Sequence, residues 1–199
     1  MIHKKYLPSM AIDTVVKIGG ALLADPGQLG RVLDLVGAAA THQRLVVVPG
    51  GGPFADTVRG VDRRFQLSDD AAHWMAILAM DQHAHLIASK LNGAILVEGP
   101  QDIAAVRRGQ IPILAPSRWL RQADPLPHSW DVTSDSIAAW VSREIGATRL
   151  ILIKPAGATG LNLVDAHFAR VLSPETLYVA IPVDDIDAVK AALQGNDCS

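Results

Sequence analysis

Two glycine-rich turns are the features of this sequence best suited to support chemistry. Gly19 and Gly20 follow the apolar run VVKI, and Gly50, Gly51 and Gly52 follow the apolar run LVVVP. Because glycine has no Cβ, backbone N–H groups in such turns can approach a phosphate closely, and a following helix adds its positive N-terminus. Either turn alone could be a tight connection without a ligand. Two turns at the carboxyl ends of parallel strands favour anion binding.

Three charged residues stand beside apolar runs or at the start of a helical pattern. Lys17 lies within VVKI, where an unpaired lysine is costly to bury, and this favours a functional role. Lys154 ends the run LILIK and could simply be a surface lysine at the end of a strand. Asp135 could cap a helix, although Thr133 or Ser134 could cap it as well, so a purely structural aspartate is less necessary.

Other common site motifs are weak or missing. Gly50, Gly52 and Ala55 match the dinucleotide pattern G-x-G-x-x-G/A, but the acidic residues at the expected distance open a long helical segment instead of ending a strand. The sequence has no Walker loop, no H-E-x-x-H and no G-x-S-x-G. His83 and His85 point to different faces of a helix, which favours core or surface histidines over a metal site. No metal ligand is therefore predicted.

The residues that could do chemistry are separated by alternating strand and helix patterns. Short runs rich in Val, Ile and Leu predict buried strands at residues 15–18, 45–48, 94–97, 111–114, 150–153 and 178–181. Helical spacing occurs at residues 28–40, 53–64, 69–91, 102–108, 134–145 and 184–193. This alternation predicts an α/β fold with a mainly parallel sheet covered on both faces.

The longest helical segment, residues 69–91, has Ser68 as a candidate N-cap and Asp69 and Asp70 in its first turn. Its apolar residues form more than one stripe. Packing within the chain is the simpler expectation, and packing against a second subunit is the alternative.

The longest irregular stretch is predicted at residues 116–131. It contains Arg118, Trp119, Arg121, His128 and Trp130. A loop of this length within a compact domain is usually functional or disordered, so we expect a binding loop. The alternative is that the two tryptophans only cover the edge of the core.

The composition is that of a globular protein without a membrane or nucleic-acid role. The chain has 199 residues, 49% hydrophobic and 19% charged, with a formal net charge of −2 and no Lys/Arg run longer than two residues. Nucleic-acid binding needs a concentrated basic surface and is not expected. No apolar run reaches the ~18 residues of a membrane span, and MIHKKYLPSM lacks a signal-peptide core. With Cys198 as its only cysteine, the chain is expected to be cytoplasmic.

Three segments identify a family resemblance when they are taken together. VVKIGGALL, VVVPGGGPFADTVR and WDVTSDSIAAWVSREIGATRLILIKPA occur in this order over residues 15–160. They resemble the amino acid kinase family, which includes acetylglutamate, aspartate, uridylate and isopentenyl phosphate kinases. SDDAAHWMAILAMDQ and PHSWDVTSDSIAAW are most similar to the (aminomethyl)furanmethanol phosphate kinases of methanofuran and methylofuran biosynthesis. The resemblance implies a three-layer αβα sandwich and a single domain over residues 1–199, with an acceptor side at about 13–130 and a nucleotide side at about 131–199.

The resemblance also implies a reaction, the transfer of the ATP γ-phosphoryl group to a phosphate monoester to give a diphosphate. Lys17 matches the lysine that contacts the transferring phosphoryl group, and Asp135 matches the aspartate that orients the catalytic lysines. Lys154 is the candidate second cation near the nucleotide phosphates. These residue types suit the chemistry, because positioning and positive charge dominate phosphoryl transfer and two neighbouring ammonium groups need a carboxylate between them.

The glycine turns and the acceptor site follow from the same resemblance. Gly19 and Gly20 would supply backbone donors on the ATP side, and Gly50, Gly51 and Gly52 would cradle the acceptor end. The candidates for contacts with the acceptor are Arg59, Trp74, Asp81, Trp130 and Asp131. Mg²⁺ is expected to arrive on the ATP phosphates, with no protein ligand identified. A homodimer is the expected oligomer.

Arg59 has a second interpretation, a local ion pair with Asp56 three residues earlier on the same helical segment. Other functions also remain open at this point. The turn KPAGATG differs from the TDVDG type of many relatives, and the segment after it is short, which keeps a non-catalytic nucleotide or oxyanion binder possible. A kinase for a carboxylate, an isoprenoid phosphate or a nucleoside monophosphate is another alternative. A dinucleotide-dependent oxidoreductase rests only on the weak glycine pattern.

Overall fold

A computed structural model describes residues 12–159 and 163–195, so the predictions for the N-terminal decapeptide and for Cys198 lie outside the described residues. Its centre is one six-stranded sheet in the order β3-β4-β2-β1-β5-β6, and all neighbouring strands are parallel. The strands are β1 (Thr14–Ile18), β2 (Leu45–Pro49), β3 (Ala94–Val97), β4 (Ile111–Leu114), β5 (Arg149–Lys154) and β6 (Leu177–Pro182). The six predicted strands and their parallel arrangement are confirmed.

Helices connect the strands and cover both faces of the sheet. A short 3-10 helix, Gly20–Ala24, follows β1. The α-helices are α1 (Pro26–Ala39), α2 (Gly52–Phe65), α3 (Asp69–Lys90), α4 (Pro100–Ala105), α5 (Ser117–Ala123), α6 (Ser134–Ile145), α7 (Phe168–Val171) and α8 (Ile186–Leu193). The predicted helices are present, with ends that differ by a few residues.

The apolar strands are explained by burial on both faces. Along β1, Val15 packs with α3 and α6 on one face, whereas Val16 packs with α1 and α8 on the other. Both side chains are fully buried, as expected for a parallel sheet between two helical layers. This arrangement is the predicted αβα sandwich.

The strand register decides where the charged side chains point. Lys17 lies opposite Leu152 in the register between β1 and β5, and Lys154 follows Leu152 by two residues. Because side chains alternate along a strand and paired residues share a face, Lys17 and Lys154 project on the same side of the sheet. That side is covered by α6, which begins one residue before Asp135.

The predicted irregular stretch at residues 116–131 is wrong over its first half, which forms α5. The first backbone N–H of α5, at Ser117, donates to Asp81 Oδ1 on α3 at 3.1 Å. Trp119 is 8% exposed and packs on Trp140 with ring centroids 4.6 Å apart, so it belongs to the core. The carboxylate that caps α5 lies 36 residues earlier in the chain. The sequence next to Ser117 therefore does not show that a helix begins there.

The long helix α3 begins as predicted, with Ser68 Oγ accepting from Ala71 N at 3.3 Å. It packs on α2, α5 and the strands of its own chain, and it buries Ile77, Met80 and Ile87. Within residues 12–159 and 163–195, none of the helices is both long and apolar enough to cross a membrane. The homodimer and the division into acceptor and nucleotide sides remain predictions.

Candidate active site

A buried triad of charges lies where β1, β5 and α6 meet. Asp135 Oδ1 is 2.9 Å from Lys17 Nζ, and Asp135 Oδ2 accepts a hydrogen bond from Lys154 Nζ at 2.5 Å. Lys17, Asp135 and Lys154 are only 5%, 4% and 7% exposed. One carboxylate therefore holds two ammonium groups on neighbouring strands, which is the contact that the sequence prediction required.

The pKa values of the triad follow from burial and mutual attraction. Burial lowers the pKa of Lys17 below its ordinary value of 10.5, and the neighbouring Lys154 adds to this, while Asp135 opposes it. Burial by itself would raise the pKa of Asp135, but attraction to Lys17 and Lys154 outweighs burial, so that this pKa is lowered. Asp135 is therefore an anion at neutral pH. Its negative charge favours the ammonium form of Lys17, which burial alone would disfavour.

The start of α6 is held by Asp165, a residue that the sequence did not single out. Its carboxylate accepts from Thr133 N at 3.0 Å, Thr133 Oγ1 at 2.7 Å, Ser136 N at 3.1 Å and Ser136 Oγ at 2.5 Å. It also accepts from His167 N at 3.1 Å. Thr133 in turn is the N-cap, with its Oγ1 3.3 Å from Asp135 N. Asp135 is thus relieved of capping, and its carboxylate is free to bind the lysines.

The two glycine turns touch each other at the carboxyl edge of the sheet. A Cβ on Gly20 would lie 2.0 Å from Gly52 N, and a Cβ on Gly51 would lie 2.5 Å from Ala55 Cβ. Gly52 also has a φ of +56°, a conformation that favours glycine. The N–H of Gly51 has no acceptor among the residues that the structure describes. Close packing explains the glycines sterically, and the free N–H suits an anion.

Backbone hydrogen bonds from Gly19 and Gly50 attach the two turns to neighbouring strands. Gly19 N donates to Ile153 O at 2.8 Å, and Gly50 N donates to Ile18 O at 2.8 Å. Neither glycine lines the cleft described below. Their predicted contact with phosphates is therefore an indirect one, through the position of Gly20, Gly51 and Gly52, which do line it.

A buried histidine fixes the orientation of the second turn. His83 on α3 is fully buried, and its Nδ1 is 2.6 Å from Gly50 O, so that Nδ1–H donates to this carbonyl. Its Nε2 is buried without a hydrogen-bond partner among the described residues. Burial lowers the pKa of His83 and Lys17 lowers it further, so the ring is neutral. The sequence prediction of a core histidine is compatible with this place, but its contact with the turn was missed.

A cleft of about 330 Å³ opens from Lys17 and the glycine turns. One wall is a single face of α3, with Ala76, Ile77 and Met80. Near the mouth, the Arg59 guanidinium lies 4.7 Å from the Trp130 ring centroid, and Trp130 Nε1 donates to Asp62 at 2.8 Å. The cleft thus has Lys17 at its base, an apolar wall from α3, and the Arg59–Trp130 pair at its opening.

The predicted acceptor residues are only partly brought together. Arg59 and Trp130 line the cleft, whereas Trp74, Asp81 and Asp131 do not. Trp74 lies 4.8 Å under the Arg121 guanidinium, and Asp81 caps α5. Asp131 is exposed to solvent. The direct acceptor roles of these three residues thus receive no support from their positions, and they remain predictions.

The alternative prediction for Arg59 is realised, since it forms an ion pair with Asp56 at 2.9 Å. The cleft also contains Asp69 and His73, which the sequence analysis did not select as acceptor residues. Their spacing of four places them on one face of α3, and this helical spacing was the available signal. The spacing alone did not identify these two residues, because nothing in the sequence shows which face of α3 borders a cleft.

The residues present fit the phosphates of ATP better than they fit a directly bound metal. No group of three or more His, Cys, Asp or Glu side chains in the described part of the chain could hold a metal ion. Asp135 is already engaged by two lysines. Any Mg²⁺ would therefore be held mainly by the nucleotide phosphates, which the lysines and the glycine N–H groups could bind.

The chain was also compared with known proteins. The model of the amino acid kinase family matches residues 14–156. A [5-(aminomethyl)furan-3-yl]methyl phosphate kinase of Methanocaldococcus jannaschii is 30% identical over 162 residues, which cover 77% of this chain and 74% of that protein.

Solved structures with a similar fold include uridylate kinase from Archaeoglobus fulgidus, with a TM-score of 0.68, 15% identity, and coverage of 92% of this chain and 96% of that one. The UMP kinase from Ureaplasma parvum has a TM-score of 0.67 and 15% identity, and the match covers 92% of this chain and 95% of that one. At this identity the two structures show the fold alone.

Proposed function

This chain belongs to the amino acid kinase family and is a phosphotransferase, and from that premise we propose that it transfers the ATP γ-phosphoryl group to a small phosphate monoester. The product would be a diphosphate. The observation that carries this proposal is the buried Lys17–Asp135–Lys154 triad beside two interlocked glycine turns. Family membership removes the support for the oxidoreductase alternative.

We assign the roles in the reaction as follows. A phosphate oxygen of the acceptor attacks the γ-phosphorus, the bond from this phosphorus to the bridging oxygen of ADP breaks, and ADP leaves. Lys17 and Lys154 offset the negative charge on the phosphoryl oxygens, and Asp135 holds both lysines in place. Gly20, Gly51 and Gly52 supply backbone donors. Mg²⁺, bound to the nucleotide, would add further positive charge at the phosphates.

The acceptor that we propose is [5-(aminomethyl)furan-3-yl]methyl phosphate or a close analogue in methylofuran-type cofactor biosynthesis. Support comes from the M. jannaschii relative, a [5-(aminomethyl)furan-3-yl]methyl phosphate kinase that is 30% identical. The cleft also offers an apolar wall for a ring and places Arg59 over Trp130 at its mouth. A homodimer and a cytoplasmic location remain part of the proposal as predictions.

The test is a screen that couples ADP release to a spectroscopic signal, with a panel of acceptors at equal concentration. The panel contains the furan phosphate, UMP, isopentenyl phosphate and N-acetylglutamate, each with Mg²⁺ and ATP. We expect the furan phosphate to give the highest kcat/KM, and Lys17→Met to abolish the signal. A higher kcat/KM for UMP, isopentenyl phosphate or the carboxylate would refute the proposed acceptor.

A further inference from the structure

The face of α3 that lines the cleft is polar near the N-terminus of the helix and apolar further along. The residues that line the cleft recur every three or four positions, as expected for one helix face: Asp69, Ala72, His73, Ala76, Ile77 and Met80. Near Ala76 the helix touches the second glycine turn, because a Cβ on Gly51 would lie 3.7 Å from Ala76 O. Asp69 is seven residues earlier, about 10 Å along the helix axis. A small ligand with phosphate at the turn would therefore extend towards Asp69.

Asp69 is the carboxylate of the cleft that has no partner. The cleft is lined by two carboxylates, and Asp56 is paired with Arg59 at 2.9 Å. Asp69 forms no ion pair and no side-chain hydrogen bond with any residue between 12 and 159 or between 163 and 195. The other cation of the cleft, Lys17, is held by Asp135. The Asp69 carboxylate thus faces the cleft without a cation among the described residues to bind.

Asp69 suits the positive end of the α3 dipole, but neither helix capping nor an ion pair uses its carboxylate. Ser68, and not Asp69, caps α3 with its side chain. The next residue, Asp70, lies 2.5 Å from His128 Nδ1 and has a partner of its own. His73 is one turn away from Asp69, but burial and the neighbouring His128 lower its pKa to about 4, so it supplies no positive charge at neutral pH.

We propose that Asp69 binds a primary ammonium group of the acceptor and so selects phosphate monoesters that carry an amine. This assignment rests on the proposed function, since it requires the acceptor phosphate to lie at the glycine turn. A carboxylate and an ammonium group form a charge-assisted hydrogen bond, which both orients the ligand and disfavours a second anionic group at the mouth. Asp69 acts on acceptor binding and not on the transferring phosphoryl group.

The experiment compares two acceptors that differ only in the amine. They are [5-(aminomethyl)furan-3-yl]methyl phosphate and the analogue with a methyl group in place of the aminomethyl group. Both are assayed with the wild type, Asp69→Asn, Asp69→Glu and the control Asp187→Asn. Asp187 is also an exposed aspartate in the first turn of a helix, α8, and it does not line the cleft. The control therefore shows whether the loss of an exposed first-turn aspartate away from the cleft affects the assay.

We expect Asp69→Asn to raise KM for the amine-bearing acceptor about tenfold, with little change in kcat. KM for the methyl analogue should stay within about twofold, because only one charge-assisted contact is removed. Asp69→Glu should keep the preference for the amine, and Asp187→Asn should behave as the wild type. An equal change for both acceptors, or no change for either, would overturn the assignment of Asp69. A wild type that uses neither acceptor would refute the proposed function and this assignment with it.

Discussion

Replacing Asp135 with asparagine removes the charge that holds the two lysines while nearly preserving the side-chain shape. At 2.9 Å, the attraction between Lys17 and Asp135 is about 6 kcal/mol for an effective dielectric constant of 20, before desolvation is subtracted. Removing one partner of a buried ion pair typically costs about 3–5 kcal/mol of stability. Asparagine can still accept hydrogen bonds, so we expect a loss of about 3 kcal/mol, or roughly 6–12 °C in Tm.

The same substitution should change how stability and activity depend on pH. Without Asp135, the pKa of Lys17 falls further, because the lowering by burial is no longer opposed. The unfolded chain then binds more protons than the folded one, so that the stability of the variant rises as pH rises towards 10.5. Its activity changes in the opposite direction and improves as pH falls, because the reaction needs the charged ammonium. At neutral pH we expect kcat to fall about 10²- to 10³-fold.

The assay measures kcat from pH 6 to 10 together with Tm, and both values are compared with those of Glu144→Gln. Glu144 is an exposed carboxylate on α6 that contacts Arg143 and neither Lys17 nor Lys154. We expect the control to match the wild type in both measurements. An Asp135→Asn variant with a wild-type rate would refute the reasoning. So would a variant whose loss of activity is the same at every pH, since that loss would not come from lysine protonation.

Substitutions at three further positions test how the site is arranged. Gly20→Ala should nearly abolish phosphoryl transfer in the steady-state assay, because its Cβ would lie 2.0 Å from Gly52 N, and a near-normal rate would contradict the interlocked turns. His83→Leu should lower kcat about tenfold, because the Gly50 carbonyl loses its hydrogen-bond donor. His83→Asn can still donate and should recover most of this loss. Equal kcat values for the two variants would show that the contact has no role. Asp165→Ala should cost about 3 kcal/mol in urea unfolding and lower kcat, and an unchanged unfolding midpoint would count against the proposed clamp.

The sequence predicted the sheet from local patterns, and the family resemblance implied that Asp135 would contact the two lysines. Apolar runs define the strands, and parallel strands place their carboxyl ends at one edge of the sheet. A lysine inside an apolar strand, such as Lys17, must find a partner when it is buried. The start of α6 supplied Asp135 together with Thr133 as a spare cap. These signals lie within a few residues of the groups that they position.

The features that were missed depend on contacts between distant parts of the chain. Asp165 clamps α6 from about 30 residues away, and His83 reaches Gly50 across 33 residues. α5 was taken for a loop because Asp81 caps it from α3. The exposed face of α3 that carries Asp69 could be recognised only after α2 and α3 were placed beside the glycine turns. No period or motif in a single sequence encodes these distances.

³¹P NMR of the reaction mixture shows directly whether the protein transfers a phosphoryl group from ATP to a phosphate monoester with the help of the triad. With ATP, Mg²⁺ and [5-(aminomethyl)furan-3-yl]methyl phosphate, we expect one diphosphate product to form for each ADP, visible as two coupled resonances. Lys17→Met should give neither product nor ADP. Release of inorganic phosphate in place of the diphosphate, or product formation by Lys17→Met at the wild-type rate, would refute phosphoryl transfer by this triad.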